Sequence, residues 1–316
     1  MSIKWGILGT GGIAREFARD VLEYTEMQIA AVGSRSIEQA NRFELAESKF
    51  GSYEELVNSD VDAIYVATPH QVHCENTILA LNAGKPVLCE KPFAINAKEA
   101  MEMADCATQN NLLLMEAMWT RYLPHIQKLR ELLPELGEIY SVIADHGQAL
   151  THIQRLTDPD YAGGALLDLG IYPVSFIHMI LGKPERITAR GDLVGGVDYQ
   201  TSAIFEYVNG AHASFTTNLK VKGPTVATVS GTKARLELET SFYRPTNMRL
   251  IYNDGNVVEF KNEYRGHGLR EQAIYFEKML IMGHRSSALL PLPESIAIMQ
   301  ILDEIRNQIG LKYPFE

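Results

Sequence analysis

Short apolar runs alternate with amphipathic helical stretches along the first 119 residues. The apolar runs predict five strands, at 4–8, 27–32, 63–67, 87–89 and 112–115. Helical periodicity follows the first four runs, beginning at Ile13, Ile37, Val72 and Ala97. Strands and helices that alternate in this order are typical of βαβ units around a parallel sheet. We therefore expect a first α/β domain over residues 1–119.

The rhythm of the pattern changes from about Thr120 onward. The elements predicted there are a strand at 138–145 and helices at 123–133, 168–181, 268–282 and 293–308. Alternating apolar and polar residues fill the stretch 188–260, where Val208-Asn209-Gly210 and Asn253-Asp254-Gly255 are typical hairpin turns. The pattern predicts a second α/β domain over 120–316 with an open, mostly antiparallel sheet.

An open antiparallel sheet that helices cover on one face leaves its other face in need of cover. A second copy of the same subunit can supply that cover through a self-complementary contact. We therefore expect a homodimer that forms through the C-terminal sheet.

Composition and charge narrow the class of protein. The chain has 316 residues, of which 46% are hydrophobic and 22% charged, which suits two soluble domains. A formal net charge of −10 argues against nucleic acid and an anionic membrane surface as partners. Three cysteines are an odd count that favours a reducing compartment. Without a signal-peptide pattern or an apolar run of about 18–20 residues, we expect a cytoplasmic protein.

A glycine-rich turn follows the first predicted strand directly. It has the Gly-x-Gly-x-x-Ala form and reads Gly9-Thr10-Gly11-Gly12-Ile13-Ala14. In a dinucleotide site, Gly9 permits the tight turn, Gly11 lets the backbone approach a pyrophosphate, and Ala14 lets the helix pack on the strand. Glycine turns also serve as plain connectors, but here the strand before and the helix after favour a dinucleotide-binding site.

The end of the second predicted strand bears on the choice between NAD and NADP. NAD-selective sites place an acidic residue about 20 residues past the glycines, where it holds the ribose 2′-hydroxyl. This chain has Ser34 and Arg35 there, and a hydroxyl with a guanidinium suits a 2′-phosphate. NADP is therefore favoured, although NAD stays possible because Glu38 lies nearby and Arg35 alone can be a solvated turn residue.

Thr68 and Pro69 follow the third predicted strand and are candidates for the nicotinamide pocket. His70 and His73 are three residues apart, a spacing that can suggest a metal. No further ligand cluster accompanies them, so we predict no metal site and take His73 as a structural or cofactor contact.

The tripeptide Glu90-Lys91-Pro92 ends the apolar run at 87–89. In an open α/β sheet, ligands bind beyond the carboxyl ends of the strands. A partly buried lysine at such a place can exchange protons rather than only carry charge. Lys91 is therefore the first candidate for chemistry, and the proline turn predicts a cis Lys91–Pro92 bond.

Taken together, these motifs resemble the glucose–fructose oxidoreductase, inositol dehydrogenase and MocA-like family over essentially the full length. The resemblance includes the glycine turn, 67–69 with His73, 90–92, 116–122 (EAMWTRY) and 163–172 (GGALLDLGIY). Trp119-Thr120-Arg121 and Tyr172 are most similar to the branch of dimeric dihydrodiol dehydrogenases and NADP-linked aldose dehydrogenases. The resemblance implies a Rossmann fold followed by an α/β domain, and members commonly pair as dimers or tetramers.

The resemblance also implies which residues carry out the chemistry. Tyr172 stands where many relatives have a histidine, and it would take the hydroxyl proton with Lys91 as its cationic neighbour. Asp168, one helical turn earlier, would orient Lys91 or bind substrate hydroxyls. Supporting roles at the cofactor or substrate fall to Glu90, Trp119 and Arg121. Singly, Tyr172, Asp168 and Trp119 are equally typical of core or helix-face residues.

The sequence therefore predicts an oxidoreductase that transfers hydride between NADP and a small-molecule substrate, namely a sugar, polyol, dihydrodiol or small carbonyl compound. Two other classes stay open. One is an NAD-dependent glycoside hydrolase with no net redox change, and the other is a cofactor-binding regulator that has lost its chemistry.

Overall fold

The computed structural model describes residues 3–316. Its strands are β1 (Lys4–Leu8), β2 (Gln28–Gly33), β3 (Ser48–Phe50), β4 (Ala63–Val66), β5 (Val87–Glu90), β6 (Leu114–Ala117), β7 (Ile139–Gly147), β8 (Arg186–Val194), β9 (Val197–Glu206), β10 (His212–Asn218), β11 (Ala227–Gly231), β12 (Ala234–Leu238), β13 (Met248–Tyr252) and β14 (Val257–Phe260). Its α-helices are α1 (Gly12–Tyr24), α2 (Ile37–Asn41), α3 (Tyr53–Val57), α4 (His73–Asn82), α5 (Ala97–Gln109), α6 (Pro124–Leu132), α7 (Gln154–Thr157), α8 (Ile171–Leu181), α9 (Arg270–Ile281) and α10 (Leu292–Ile309).

The chain divides into two compact units. The first contains the chain up to Tyr122 together with Arg265–Ile296, and the second contains Leu123–Tyr264 and Ala297–Glu316. This division differs from the sequence boundary at 119/120 in two respects: the first unit extends to Tyr122, and the segment Arg265–Ile296 groups with it.

The first unit is built on a six-stranded parallel sheet in the order β3-β2-β1-β4-β5-β6. All residues of β4, β5 and β6 are buried, as expected for parallel strands that helices cover on both faces. The order of the strands reverses between β1 and β4, and ligands bind at such a switch point beyond the carboxyl ends of the strands. The predicted Rossmann fold with its parallel sheet is confirmed.

Asp20 on α1 explains why the later segment returns to the first unit. Its buried carboxylate accepts backbone N–H bonds from His267, Gly268 and Arg270, at 2.9, 3.0 and 2.8 Å, and it pairs with the Arg270 guanidinium. These bonds hold the start of α9 against α1, where the Phe276 ring lies 5.0 Å from that of Trp5.

The second unit contains an eight-stranded sheet in the order β14-β13-β12-β11-β7-β10-β9-β8. Every pair is antiparallel except β7 with β10, so the sheet is mostly antiparallel, as predicted. The turns at Asn209-Gly210 and Asp254-Gly255 join neighbouring strands of this sheet.

A long apolar helical stretch, Pro159–Leu181, belongs to the core of the second unit. It is long and apolar enough to cross a membrane, but 78% of its most apolar 18-residue segment is buried inside the protein. Its middle part, Leu166–Gly170, forms a π-helical turn that continues directly into α8. Such turns within helices occur frequently at functional sites, and this one contains Asp168.

Candidate active site

The glycine turn after β1 has the geometry of an anion site. Gly9 has φ +105°, and a Cβ there would lie 2.7 Å from the Ala67 carbonyl oxygen, so only glycine fits. Gly11 caps α1 without a side-chain hydrogen bond, and a Cβ on Gly11 or Gly12 would meet nothing within 4 Å. Thr10 lies between the two key glycines, and Ile13 lies in the first turn of α1. The backbone N–H groups at this helix start therefore fit the pyrophosphate of a dinucleotide.

Ser34 and Arg35 differ in their availability to a ligand. Ser34 is 3% exposed, and its hydroxyl donates to Gln39 Oε1 at 3.0 Å. Arg35 has an exposed side chain, and its positive charge acts on the nearby Tyr53 phenol. Arg35 is therefore the member of the pair that can meet a 2′-phosphate.

His73 at the start of α4 connects two turns. Its Nε2 lies 2.9 Å from the carbonyl oxygen of Thr68, after β4, and its Nδ1 lies 2.8 Å from that of Pro92, after β5. Asn76 donates to the Thr68 hydroxyl at 3.1 Å, while Pro69 is exposed. Residues 3–316 contain no cluster of three or more His, Cys, Asp or Glu side chains placed to hold a metal.

The turn that contains Lys91 is anchored on both sides. The Glu90 carboxylate accepts a very short hydrogen bond from the Tyr65 hydroxyl and a bond of 3.1 Å from the Lys91 backbone N–H. The Lys91–Pro92 bond is cis, as predicted. Lys91 itself is half-buried at the carboxyl end of β5. These contacts fix the backbone of Lys91, so its side chain starts from a defined position.

The end of β6 holds a buried polar group that the sequence analysis did not single out. Glu116 is 1% exposed, and burial raises its pKa to about 7, an effect partly offset by the Ser295 hydroxyl and the Arg121 guanidinium. Arg121 is also buried and forms an ion pair with Glu294 at 2.7 Å. The Trp119 ring packs against His267, with ring centroids 5.0 Å apart.

In the second unit, Asp168 and Tyr172 are both buried, at 5% and 7% exposure. Arg155 Nη1 lies 3.3 Å from Asp168 Oδ1 and forms an ion pair with it. The Tyr172 ring packs on the rings of His146 and Tyr243, with centroids 5.2 and 4.8 Å away. These three partners lie between 13 and 71 positions away in the chain, so no local sequence signal could have identified them.

The structure thus brings together the predicted residues of the first unit. Gly9, Thr68 and Lys91 follow β1, β4 and β5, which are neighbours in the parallel sheet. Because parallel strands end at the same edge, the glycine turn, the His73 turn and the lysine turn share one edge of the sheet. Arg121 and Trp119 lie just past the end of the next strand, β6.

Two family models match this chain. One, described as an oxidoreductase family with an NAD-binding Rossmann fold, matches residues 3–118, and the other, the GFO/IDH/MocA C-terminal domain, matches residues 126–237. The chain therefore belongs to the Gfo/Idh/MocA family of oxidoreductases, and the resemblance stated from its motifs is confirmed. It is an NAD(P)-dependent oxidoreductase.

Similar proteins of known identity cover the whole chain. It is 37% identical to the trans-1,2-dihydrobenzene-1,2-diol dehydrogenase of Bos taurus and 38% identical to that of Mus musculus, in each case over 99% of both chains. It also resembles the crystal structure of KijD10, a 3-ketoreductase from Actinomadura kijaniata, in complex with NADP and TDP-benzene. That likeness has a TM-score of 0.86 and 25% identity over 98% of both chains.

Proposed function

We propose that this enzyme transfers hydride between NADP and a hydroxyl or carbonyl group of a sugar, polyol, dihydrodiol or small carbonyl compound. The observation that carries the proposal is the shared sheet edge, where the glycine turn and the anchored Lys91 turn follow neighbouring strands. Full-length similarity to dihydrodiol dehydrogenases and to an NADP-bound ketoreductase supports the same chemistry and substrate class.

The cofactor, when bound, supplies or accepts the hydride. The Gly9–Ile13 turn would hold its pyrophosphate, and Arg35, next to the buried Ser34, would meet the 2′-phosphate. The segment around Thr68, Pro69 and His73 would lie at the nicotinamide end, with Glu90, Trp119 and Arg121 in support. These assignments follow from the positions of the residues at the ends of the strands.

Lys91 and Tyr172 bind and transfer the proton of the substrate's hydroxyl group. Lys91 holds the reacting oxygen with its ammonium group, and Tyr172 accepts the proton during oxidation and returns it during reduction. Asp168, paired with Arg155, binds a substrate hydroxyl or keeps the lysine oriented.

A substrate panel tests the proposal. Aldoses, polyols, dihydrodiols and dicarbonyl compounds are offered with NADP and with NAD in parallel, and turnover is followed by nicotinamide absorbance. We expect turnover that is faster with NADP, and Arg35→Asp should weaken NADP binding more than NAD binding. Equal use of both cofactors by the unmodified enzyme would remove the assigned role of Arg35. Glycoside cleavage without net nicotinamide change would favour the hydrolase class instead.

Variants test the proton-handling pair. Lys91→Ala and Tyr172→Phe should each lower kcat by about 100-fold or more, the usual worth of a general acid–base group. Lys98→Ala is the matched control because its side chain is 83% exposed at the start of α5. Near-normal turnover of Lys91→Ala would exclude Lys91 from the chemistry.

We further propose that the enzyme forms a homodimer through the uncovered face of the eight-stranded sheet and works in the reducing cytoplasm. Ile143 and Ile204 are 55% and 49% exposed there, and both lie opposite Ser214 on the strand between them. For the reducing compartment, the support is that the three cysteines of the chain are all free thiols. Light scattering should give a dimer mass that Ile143→Glu with Ile204→Glu reduces to that of a monomer, whereas a monomeric parent protein would refute the dimer.

A further inference from the structure

His73 is enclosed between two hydrogen-bond acceptors. The side chain is fully buried, at 0% exposure, with Nδ1 2.8 Å from the Pro92 carbonyl oxygen and Nε2 2.9 Å from the Thr68 carbonyl oxygen. Both distances are typical of N–H···O hydrogen bonds. Each of the two ring nitrogens therefore faces an atom that can only accept.

A neutral imidazole cannot satisfy both contacts. It has one N–H, so its other nitrogen would direct a lone pair at a carbonyl lone pair. Only the imidazolium form has an N–H on both nitrogens and can donate to both carbonyls. The two acceptor contacts therefore favour the charged form of His73.

Two other histidines, the buried His146 and the half-buried His125, have contacts of a different kind. The fully buried His146 has one carbonyl acceptor, from Leu169, while its Nε2 lies 2.8 Å from the Gln148 amide nitrogen, which donates. His125 Nε2 donates to the Phe242 carbonyl, while its Nδ1 has no partner in the part of the chain that the structure describes. Burial lowers the pKa of His125 to about 4, so it is neutral. These contacts match the neutral form of the ring.

A buried cation needs charge nearby to compensate for lost hydration. We assign this role to the Glu90 carboxylate, because Glu90 is 3% exposed and immediately precedes the lysine turn that His73 contacts. Other titratable groups on the surrounding elements are His70 on the preceding turn, Tyr65 on β4, Lys91 after β5 and Glu99 at the start of α5.

We propose that His73 is an imidazolium ion at neutral pH and acts as a positioning residue for Lys91. Its two N–H groups join the turn after β4, which contains Thr68, to the turn after β5, which contains Lys91. Loss of either N–H replaces one of these bonds with a repulsive contact and releases the lysine turn. The positioning role rests on the proposed function of Lys91, whereas the charge state does not.

Nuclear magnetic resonance tests the charge state without any assay of activity. The protein is labelled with ¹⁵N at its nine histidines, and His73→Gln, or His73→Asn if the first variant does not fold, assigns the His73 signals. We expect two protonated ring nitrogens for His73 at neutral pH and one for His125. A single protonated nitrogen on His73 would overturn the inference and leave the proposed function intact.

Kinetics test the positioning role. His73→Gln should lower kcat by about tenfold or more, because displacement of a catalytic group by about 1 Å can cost 100-fold. In a Lys91→Ala background the same change should have no further effect on kcat, since nothing remains to be positioned. His125→Gln, at a half-buried histidine of the other unit, should leave kcat and KM unchanged. Additive losses in the double variant would refute the positioning of Lys91, and an active Lys91→Ala would refute the proposed function instead.

Discussion

Replacement of Asp20 by alanine should lower the free energy of unfolding of the first unit more than replacement of any exposed residue of α1. The Asp20 carboxylate is 4% exposed and accepts three backbone N–H bonds from residues 267–270, as well as the Arg270 guanidinium. Each buried N–H left without a partner costs about 1–3 kcal/mol. Removal of one member of a buried ion pair costs about 3–5 kcal/mol. Since these effects overlap, we expect a loss of about 3–5 kcal/mol, a large share of the stability of an ordinary domain.

The assay follows tryptophan fluorescence during urea unfolding. The chain has two tryptophans, Trp5 and Trp119, and both belong to the first unit. Trp119 packs on His267, so its emission reports directly on the segment that Asp20 holds. Asp20→Asn keeps one acceptor oxygen and should therefore lose less stability than Asp20→Ala, while Glu23→Ala on the exposed side of α1 is the control. A loss below about 1 kcal/mol for Asp20→Ala would refute the view that this carboxylate fixes the returning segment.

Three further predictions concern both units. Gly11→Ala should keep the melting temperature and weaken NADP binding, because the new Cβ would occupy open space at the start of α1, where the pyrophosphate would lie. Gly9→Ala should instead lower the melting temperature, because its Cβ would clash with the Ala67 carbonyl. Burial raises the pKa of Glu116 from 4.5 to about 7, so the folded state retains a proton that the unfolded state releases, and stability falls as pH rises through this window. Glu116→Gln should remove about 3 kcal/mol of that fall in unfolding measured at several pH values. Tyr313→Phe removes a buried hydrogen bond of 2.7 Å to the Gly163 carbonyl and should cost about 1–2 kcal/mol in urea unfolding.

The regular elements could be predicted because their apolar patterns are local. The strand predicted at 4–8 matches β1, and the helices predicted at 268–282 and 293–308 lie within one or two residues of α9 and α10. β3 and α3 have only three and five residues, too few to establish a period, and both were missed. The last strand of the parallel sheet begins at Leu114 rather than 112, because the apolar run continues from the preceding turn into the strand.

The site could be predicted only as far as its motifs are continuous in the chain. The glycine turn and the lysine turn each occupy a few consecutive residues, so the sequence alone could indicate their roles at the cofactor and in catalysis. The Ser34 hydroxyl is engaged by Gln39, and Asp168 is paired with Arg155. Neither contact has a sequence signature, because packing of the folded chain decides which of the available polar side chains pair.

The return of Arg265–Ile296 to the first unit has a consequence for how the chain is synthesised. The ribosome makes β1 early, but Phe276, which packs on Trp5, is added only after every strand of the second sheet. The second unit waits as well, because Tyr313, which donates to the Gly163 carbonyl, is added later still. Since domains generally fold as units and in order of synthesis, neither unit can complete its fold until α9 and the segment around Tyr313 have left the exit tunnel. A nascent chain stalled before α9 should therefore hold two incomplete units, and both should be open to chaperones and proteases at once.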